Sequence, residues 1–269
     1  MTARGKLGRW GLRTFALGYL AVLLLIPFGT IFYRAFEHGL AAAFTSVTTP
    51  DALHAFYLTI LITLIAVIAN TIFGVGCALL LVRTNFRGKA LLNAVVDLPF
   101  AISPVVIGLS LYLLYGRTGW FGDVLLNNGI QILFALPGMV LATIFVSLPF
   151  VAREVVPVLR EVGDEQEQAA ATLGANSWQT FWRVTLPAIR WGIAYGVVLS
   201  TARAIGEFGA VSVVSGRIAG ETDTLTLLVE KRFQNFDLSG AYAASMLLAL
   251  IALSTLLITT FIGRRRSDA

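Results

Sequence analysis

Apolar residues in this chain gather into six long runs, not into the short periodic stripes of a soluble domain. The runs cover residues 17–33, 55–82, 91–115, 130–152, 193–215 and 240–263, between 17 and 28 residues each. A helix needs about 20 residues to cross the hydrocarbon core of a bilayer. Lipid offers no partner to an unpaired backbone group, so each run predicts a helix. The expectation is an all-α membrane protein of six transmembrane helices. The second run is long enough to tilt or to project from the bilayer. Only Asp97, Arg203 and Glu207 carry charge within the runs. No internal repeat and no low-complexity segment interrupts the pattern.

Between the runs, basic residues set the expected orientation. Those near the N-terminus, in the loops around residues 83–89 and 153–192, and near the C-terminus number 14, against 5 on the opposite side. Both termini and the long loop are therefore expected to face the cytoplasm. The first run also has a basic start, and Ala41, Ala42 and Ala43 downstream match the small residues of a signal-peptidase site. The run is long for a signal peptide, so a retained span is the expectation.

Composition supports this picture. Charged residues make up 13% of the chain, about half of what soluble domains carry. Cys77 is the only cysteine, so no intrachain disulfide forms, and His38 and His54 are the only histidines. A metal site is not expected from that set. The net charge of +5 follows membrane topology, and no nucleic-acid partner is expected.

The most polar stretch is the gap 153–192. Within it, Asp164 is expected to cap a helix with Glu167 in capping-box position. Gln168, Ala169 and Ala170 continue that helix, and Gly174 suits the left-handed position that ends it. Ser177 is expected to cap a second helix, with Trp178, Phe181, Trp182 and Thr185 on one face. After Leu186, Pro187 closes this helix or starts the next. Tryptophans resting among lipid headgroups are one reading of this pattern, and a helix pair docking into a groove of a soluble subunit is the other.

The same segment resembles the cytoplasmic loop of the permease subunits of ABC importers. That family's pattern is Glu-Ala-Ala, three residues, Gly, nine residues, then Ile-x-Leu-Pro; this chain has Gln168-Ala169-Ala170, Gly174 and Val184-Thr185-Leu186-Pro187 at the same spacing. Gln168 stands in place of the family glutamate, so a salt bridge there would become a neutral hydrogen bond. The resemblance implies a type I ABC-importer permease fold and helices that couple to a separate ATPase. ATP and Mg would be bound on that partner, with no cofactor on this chain. The Gly-Lys pairs Gly5-Lys6 and Gly88-Lys89 lack the rest of a phosphate-binding loop, so no ATP site of its own, and no enzyme activity, is expected.

In the fifth run, Arg203 and Glu207 are four residues apart and would share a helix face. A buried pair that fixes packing is one reading; an anion path or gate lined by Arg203, held by Glu207, is the other. Asp97 reads as a packing contact or the cytoplasmic end of its span. The stretch 201–210 resembles the sulfate and molybdate branch of these permeases, as do residues 98–106, 147–155 and 213–216. The likeness is nearest to the W-type sulfate/thiosulfate subunits and extends over residues 50–262.

The resemblance then implies a heterodimer with a T-type permease, two ATP-binding subunits, a periplasmic sulfate-binding protein and a bacterial inner-membrane location. The expected organisation is an N-terminal tail, first helix and periplasmic loop over 1–53, a permease core over 54–263 with the coupling loop 153–192, and a basic tail over 264–269. A molybdate or tungstate permease is the nearby alternative. An ion-coupled secondary transporter would carry carboxylates or histidines on several spans, and this chain offers only Asp97 and Glu207. A membrane-embedded enzyme would need clustered His, Cys or carboxylates in the spans, which the sequence lacks.

Overall fold

The structure is a computed structural model that describes residues 3–267, with side chains described for 12–255, 257 and 258. The terminal basic residues Arg4, Lys6, Arg9, Arg264, Arg265 and Arg266, which contribute to the expected orientation, have side chains outside that set. All regular structure among the described residues is helical. In chain order the helices are α1 (Ala3–Phe36), α2 (Leu40–Val47), α3 (Pro50–Arg83), α4 (Lys89–Ala101), α5 (Pro104–Tyr115), α6 (Gly122–Asn127) and α7 (Leu136–Val162). They continue with α8 (Glu165–Thr172), α9 (Ser177–Thr180), α10 (Leu186–Ile205), α11 (Val211–Val214), α12 (Leu225–Gln234) and α13 (Leu238–Ser267). A π-helical turn, Phe181–Thr185, joins α9 to α10 without a break.

Helix starts follow local chemistry. Thr49 accepts a hydrogen bond from the Ala52 N–H, and Pro50 opens α3 where a missing N–H costs nothing. Among the described residues four helices are long and apolar enough to cross a membrane: Leu12–Phe36, Pro50–Arg83, Leu136–Val162 and Leu238–Thr255. The third run is not a straight helix. It divides into α4 and α5, bent by 112°, because Pro104 disfavours helical backbone at Ser103 before it. Counted as one broken span, the pair brings the number to five. The fifth run lies mostly in α10, which carries Arg190 and Arg203, is less apolar, and ends at Gly206 before the short α11.

The core is built on α7. Helices α3 and α10 pack along it, and glycines set how closely. A Cβ on Gly74 of α3 would meet Val151 and Ala152 at 2.9 Å, and one on Gly196 of α10 would meet the Val151 Cα at 2.9 Å. Small residues bring membrane helices together in this way, where lipid gives no hydrophobic drive between them. One apolar cluster joins Leu58, Ile62, Met139, Val146, Val211 and Val214; a second joins Val75, Leu81, Val155, Leu159 and Ile189. Asn70, fully buried, donates to the Ile144 carbonyl at 3.1 Å and to Ser147 Oγ at 2.9 Å. By contrast, the most apolar stretch of α1 has no buried residue. That helix touches only α2 and α13 to any extent.

The gap 153–192 is not all loop. α7 runs on to Val162 and α10 starts at Leu186. Arg153 lies inside α7, where its Nε donates to Asp97 Oδ1 at 2.6 Å and its Nη2 to Asn93 at 3.1 Å and to Asp97 Oδ2. A helix that has begun continues past the apolar run while its backbone bonds remain intact, and charge on its outer turns does not end it. Asp97 is thus a packing contact between α4 and α7.

Candidate functional site

Residues 163–185 leave the helical core as a small polar unit. Gly163 ends α7 at φ 68° and turns the chain into α8. The expected capping box at Asp164 does not form: its side chain caps no backbone N–H and instead accepts from Gln168 Nε2 at 2.9 Å. Glu167 is drawn elsewhere. Its Oε2 lies 3.0 Å from Arg83 Nε, and its Oε1 accepts from Thr185 Oγ1 at 2.9 Å.

Gly174 behaves as the sequence predicts. It holds φ 85°, its N–H bonds to the Ala171 carbonyl, and the Ala175 N–H reaches back to Ala170. Those two bonds satisfy carbonyls that the end of α8 would otherwise leave open. The second helix starts one residue earlier than expected. Asn176, not Ser177, is its cap: Asn176 Oδ1 accepts from the Gln179 N–H and Gln179 Oε1 accepts from the Asn176 N–H. The amide pair closes a reciprocal box that a serine hydroxyl at 177 would not.

The aromatic residues do not all share one exposed face. Trp178 and Trp182 pack edge to face at 5.5 Å and remain 69% and 49% exposed. Phe181 turns inward against the cluster that holds Leu159 and Ile189, and Thr185 is buried. Leu173, which sequence reasoning passes over, is 89% exposed. An apolar residue at the tip of a polar turn is the signal that could have found it. Ala169 and Ala170 of α8 and Pro187 of α10, with Leu173 between, line an open groove of about 660 Å³. Gln168 is exposed, and Leu186 is half-buried under the π-turn.

Arg203 and Glu207 sit at the other end of α10, a helix of 20 residues, or about 30 Å long. Arg203 Nη1 is 2.7 Å from Glu207 Oε2, but the two do not share a helix face. α10 ends at Ile205, and Glu207 lies beyond it. Glu207 Oε1 accepts from the Ala210 N–H at 2.8 Å, and its carbonyl accepts from Thr226 at 2.9 Å. The Glu207 side chain is 2% exposed and that of Arg203 31%. α5 presses on this turn: a Cβ on Gly209 would meet Pro104 at 2.9 Å.

A profile described as the binding-protein-dependent transport system inner membrane component matches residues 70–268. The chain belongs to this family. Among its relatives, the "Sulfate transport system permease protein CysW" of Escherichia coli K12 is 49% identical over 96% of this chain and 89% of its own. The same organism's "Sulfate transport system permease protein CysT" is 38% identical over 88% of each. In fold, the chain is similar to a solved bacterial alginate ABC transporter in complex with a pentasaccharide-bound periplasmic protein. The TM-score is 0.78 at 18% identity, covering 99% of this chain and 97% of that one. The chain thus has the type I permease fold of this family.

Proposed function

We propose that this chain is the membrane-spanning permease subunit of an ATP-driven sulfate or thiosulfate importer, forming one half of the translocation pathway. The observation that carries this reading is the 49% identity to a sulfate permease across nearly the whole chain. The chain sits in the bacterial inner membrane with both termini in the cytoplasm, as its basic residues suggest. The exposed unit around Leu173, Trp178 and Trp182, with Gln168, Ala169, Ala170, Gly174, Leu186 and Pro187 around the groove, docks on one of two ATP-binding subunits. ATP and Mg belong to those subunits.

The second permease is a T-type chain. E. coli carries relatives of both types, and α1 with the outer faces of α4 and α5 leaves wide apolar surface for lipid and a partner. A periplasmic binding protein delivers the anion, in keeping with the alginate assembly. Closure of the ATPase dimer moves the docked unit, the motion passes along α10, and the cavity opens to the binding protein. Arg203 lines the anion path or gate, oriented by Glu207.

The test is ATP hydrolysis by the purified complex with its binding protein, supplied with sulfate, thiosulfate, molybdate or tungstate. Stimulation by sulfate or thiosulfate supports the reading. Stimulation by molybdate and tungstate alone makes the chain a permease for those anions, and hydrolysis-independent uptake overturns the ATP-driven mechanism.

A further inference from the structure

Arg83 stands at the last turn of α3, on the inner side of the docking unit, and its guanidinium ties α3 to α7 and α8. Nη1 donates to the Leu159 carbonyl at 3.2 Å. Nη2 donates to the Gly163 carbonyl, the turn that ends α7, and to Glu167 Oε1 at 3.2 Å. Nε faces Glu167 Oε2 at 3.0 Å. The same carboxylate accepts from Thr185, just ahead of α10. Arg83 and Glu167 are 19% and 22% exposed, so water screens the pair less than a surface pair.

α8 has no buried residue of its own. The groove face of Ala169, Leu173 and Pro187 points away from the core, so Glu167 is the polar tie that binds α8 to the membrane helices. Its neighbour Gln168 is exposed and bonds only locally to Asp164. Two adjacent side chains, about 100° apart round one short helix, therefore have different partners. The planar guanidinium suits this junction, because it meets two carbonyls and a carboxylate at once in fixed directions.

We infer that Arg83 and Glu167 form the clamp that carries displacement of the docking unit into α3, α7 and α10. Arg83 is a positioning residue: it touches neither anion nor nucleotide. The inference rests on the docking reading above. Coupling then needs this internal clamp in addition to the exposed contact. A unit that still docks but has lost the clamp moves with the ATPase while the membrane helices lag behind.

The test uses the full complex with its ATPase subunits and binding protein in proteoliposomes. Arg83→Gln, Arg83→Lys, Glu167→Gln and the double variant Arg83→Gln/Glu167→Gln are compared. Three quantities are read: ATPase subunits retained on purification, ATP hydrolysed, and sulfate taken up per ATP. Each variant is expected to retain the ATPase subunits and to hydrolyse ATP, with uptake per ATP down by about fivefold or more. The double variant is expected to be no worse than either single one, since both remove the same junction. Arg83→Lys falls short of the unmodified chain, because a single nitrogen cannot reach acceptors that separate guanidinium nitrogens meet in fixed directions.

An unchanged uptake-to-ATP ratio in Arg83→Gln or Glu167→Gln overturns the clamp, as does loss of the ATPase subunits in those variants. Leu173→Asp, run beside them, tests the docking reading separately. Retention of the ATPase by that variant defeats docking through this unit, whatever the clamp variants do.

Discussion

Arg203 Nη1 and Glu207 Oε2 are 2.7 Å apart, yet the backbone between them leaves the helix at Gly206. Glu207 is fixed twice, by Arg203 and by the Ala210 N–H on the far side of that break. Its partner is half-open, while Glu207 itself is buried. The pair therefore joins the end of α10 to α11 and, through Thr226, to α12.

Substitutions separate a packing role from an anion role. Glu207→Ala is expected to strand the Ala210 N–H in a buried place and to cost about 1–3 kcal/mol of stability. Glu207→Gln keeps an acceptor for that N–H and should be milder in thermal unfolding. Arg203→Met is expected to assemble normally and to lose sulfate uptake, both alone and combined with Glu207→Gln. Recovery of uptake in the double variant would make the pair a packing device only.

Gly174→Val is expected to insert in the membrane but to lose the ATPase subunit and transport. A side chain at φ 85° costs about 1–2 kcal/mol in the left-handed region, and valine is worse than most. Co-purification with the ATPase and uptake are the measurements. Normal uptake would show that the turn tolerates another geometry.

Two interhelical ties are expected to differ sharply in worth. Asn70→Ala removes two buried hydrogen bonds from α3 to α7, although Ser147 keeps its bond to the Thr143 carbonyl, and should cost about 1–3 kcal/mol. Asp97→Asn weakens a pair whose side chains are 33% and 41% exposed, and should cost about 1 kcal/mol or less. Unfolding in detergent, monitored by circular dichroism, compares them. The ranking reversed would mean that the α4–α7 contact holds the bundle.

Reporter fusions after residues 89, 175 and 266 are expected to report a cytoplasmic location, and those after 45, 123 and 222 a periplasmic one. A periplasmic signal at 175 would remove the docking unit from any cytoplasmic ATPase.

The long helices are legible in the sequence because apolar runs and caps are local signals: the second run, 55–82, lies within α3, Pro50–Arg83. The bend before Pro104 escapes a hydropathy count, which registers how apolar a stretch is and takes no account of the restricted residue ahead of a proline. Charge alone places Arg153 in a loop, though Asp97, 56 residues away, gives it a partner inside the helical region. The spacing of Gln168, Gly174 and Pro187 marks the polar unit from sequence. The Arg83–Glu167 contact spans 84 residues, and no periodicity within either segment points to the other.

The π-turn over Phe181–Thr185 holds one residue more than an α-helical path would need. Each residue turns a helix by about 100°, so this extra residue sets the rotational phase between Trp178 and α10. Deleting Arg183 would keep every side chain of the family pattern, shorten its nine-residue spacing, and change the phase of Trp178 relative to α10. The segment is thus tolerant of conservative replacement and intolerant of changes in length. Relatives that differ in count between Gly174 and Pro187 would need a compensating bulge elsewhere to present the same face.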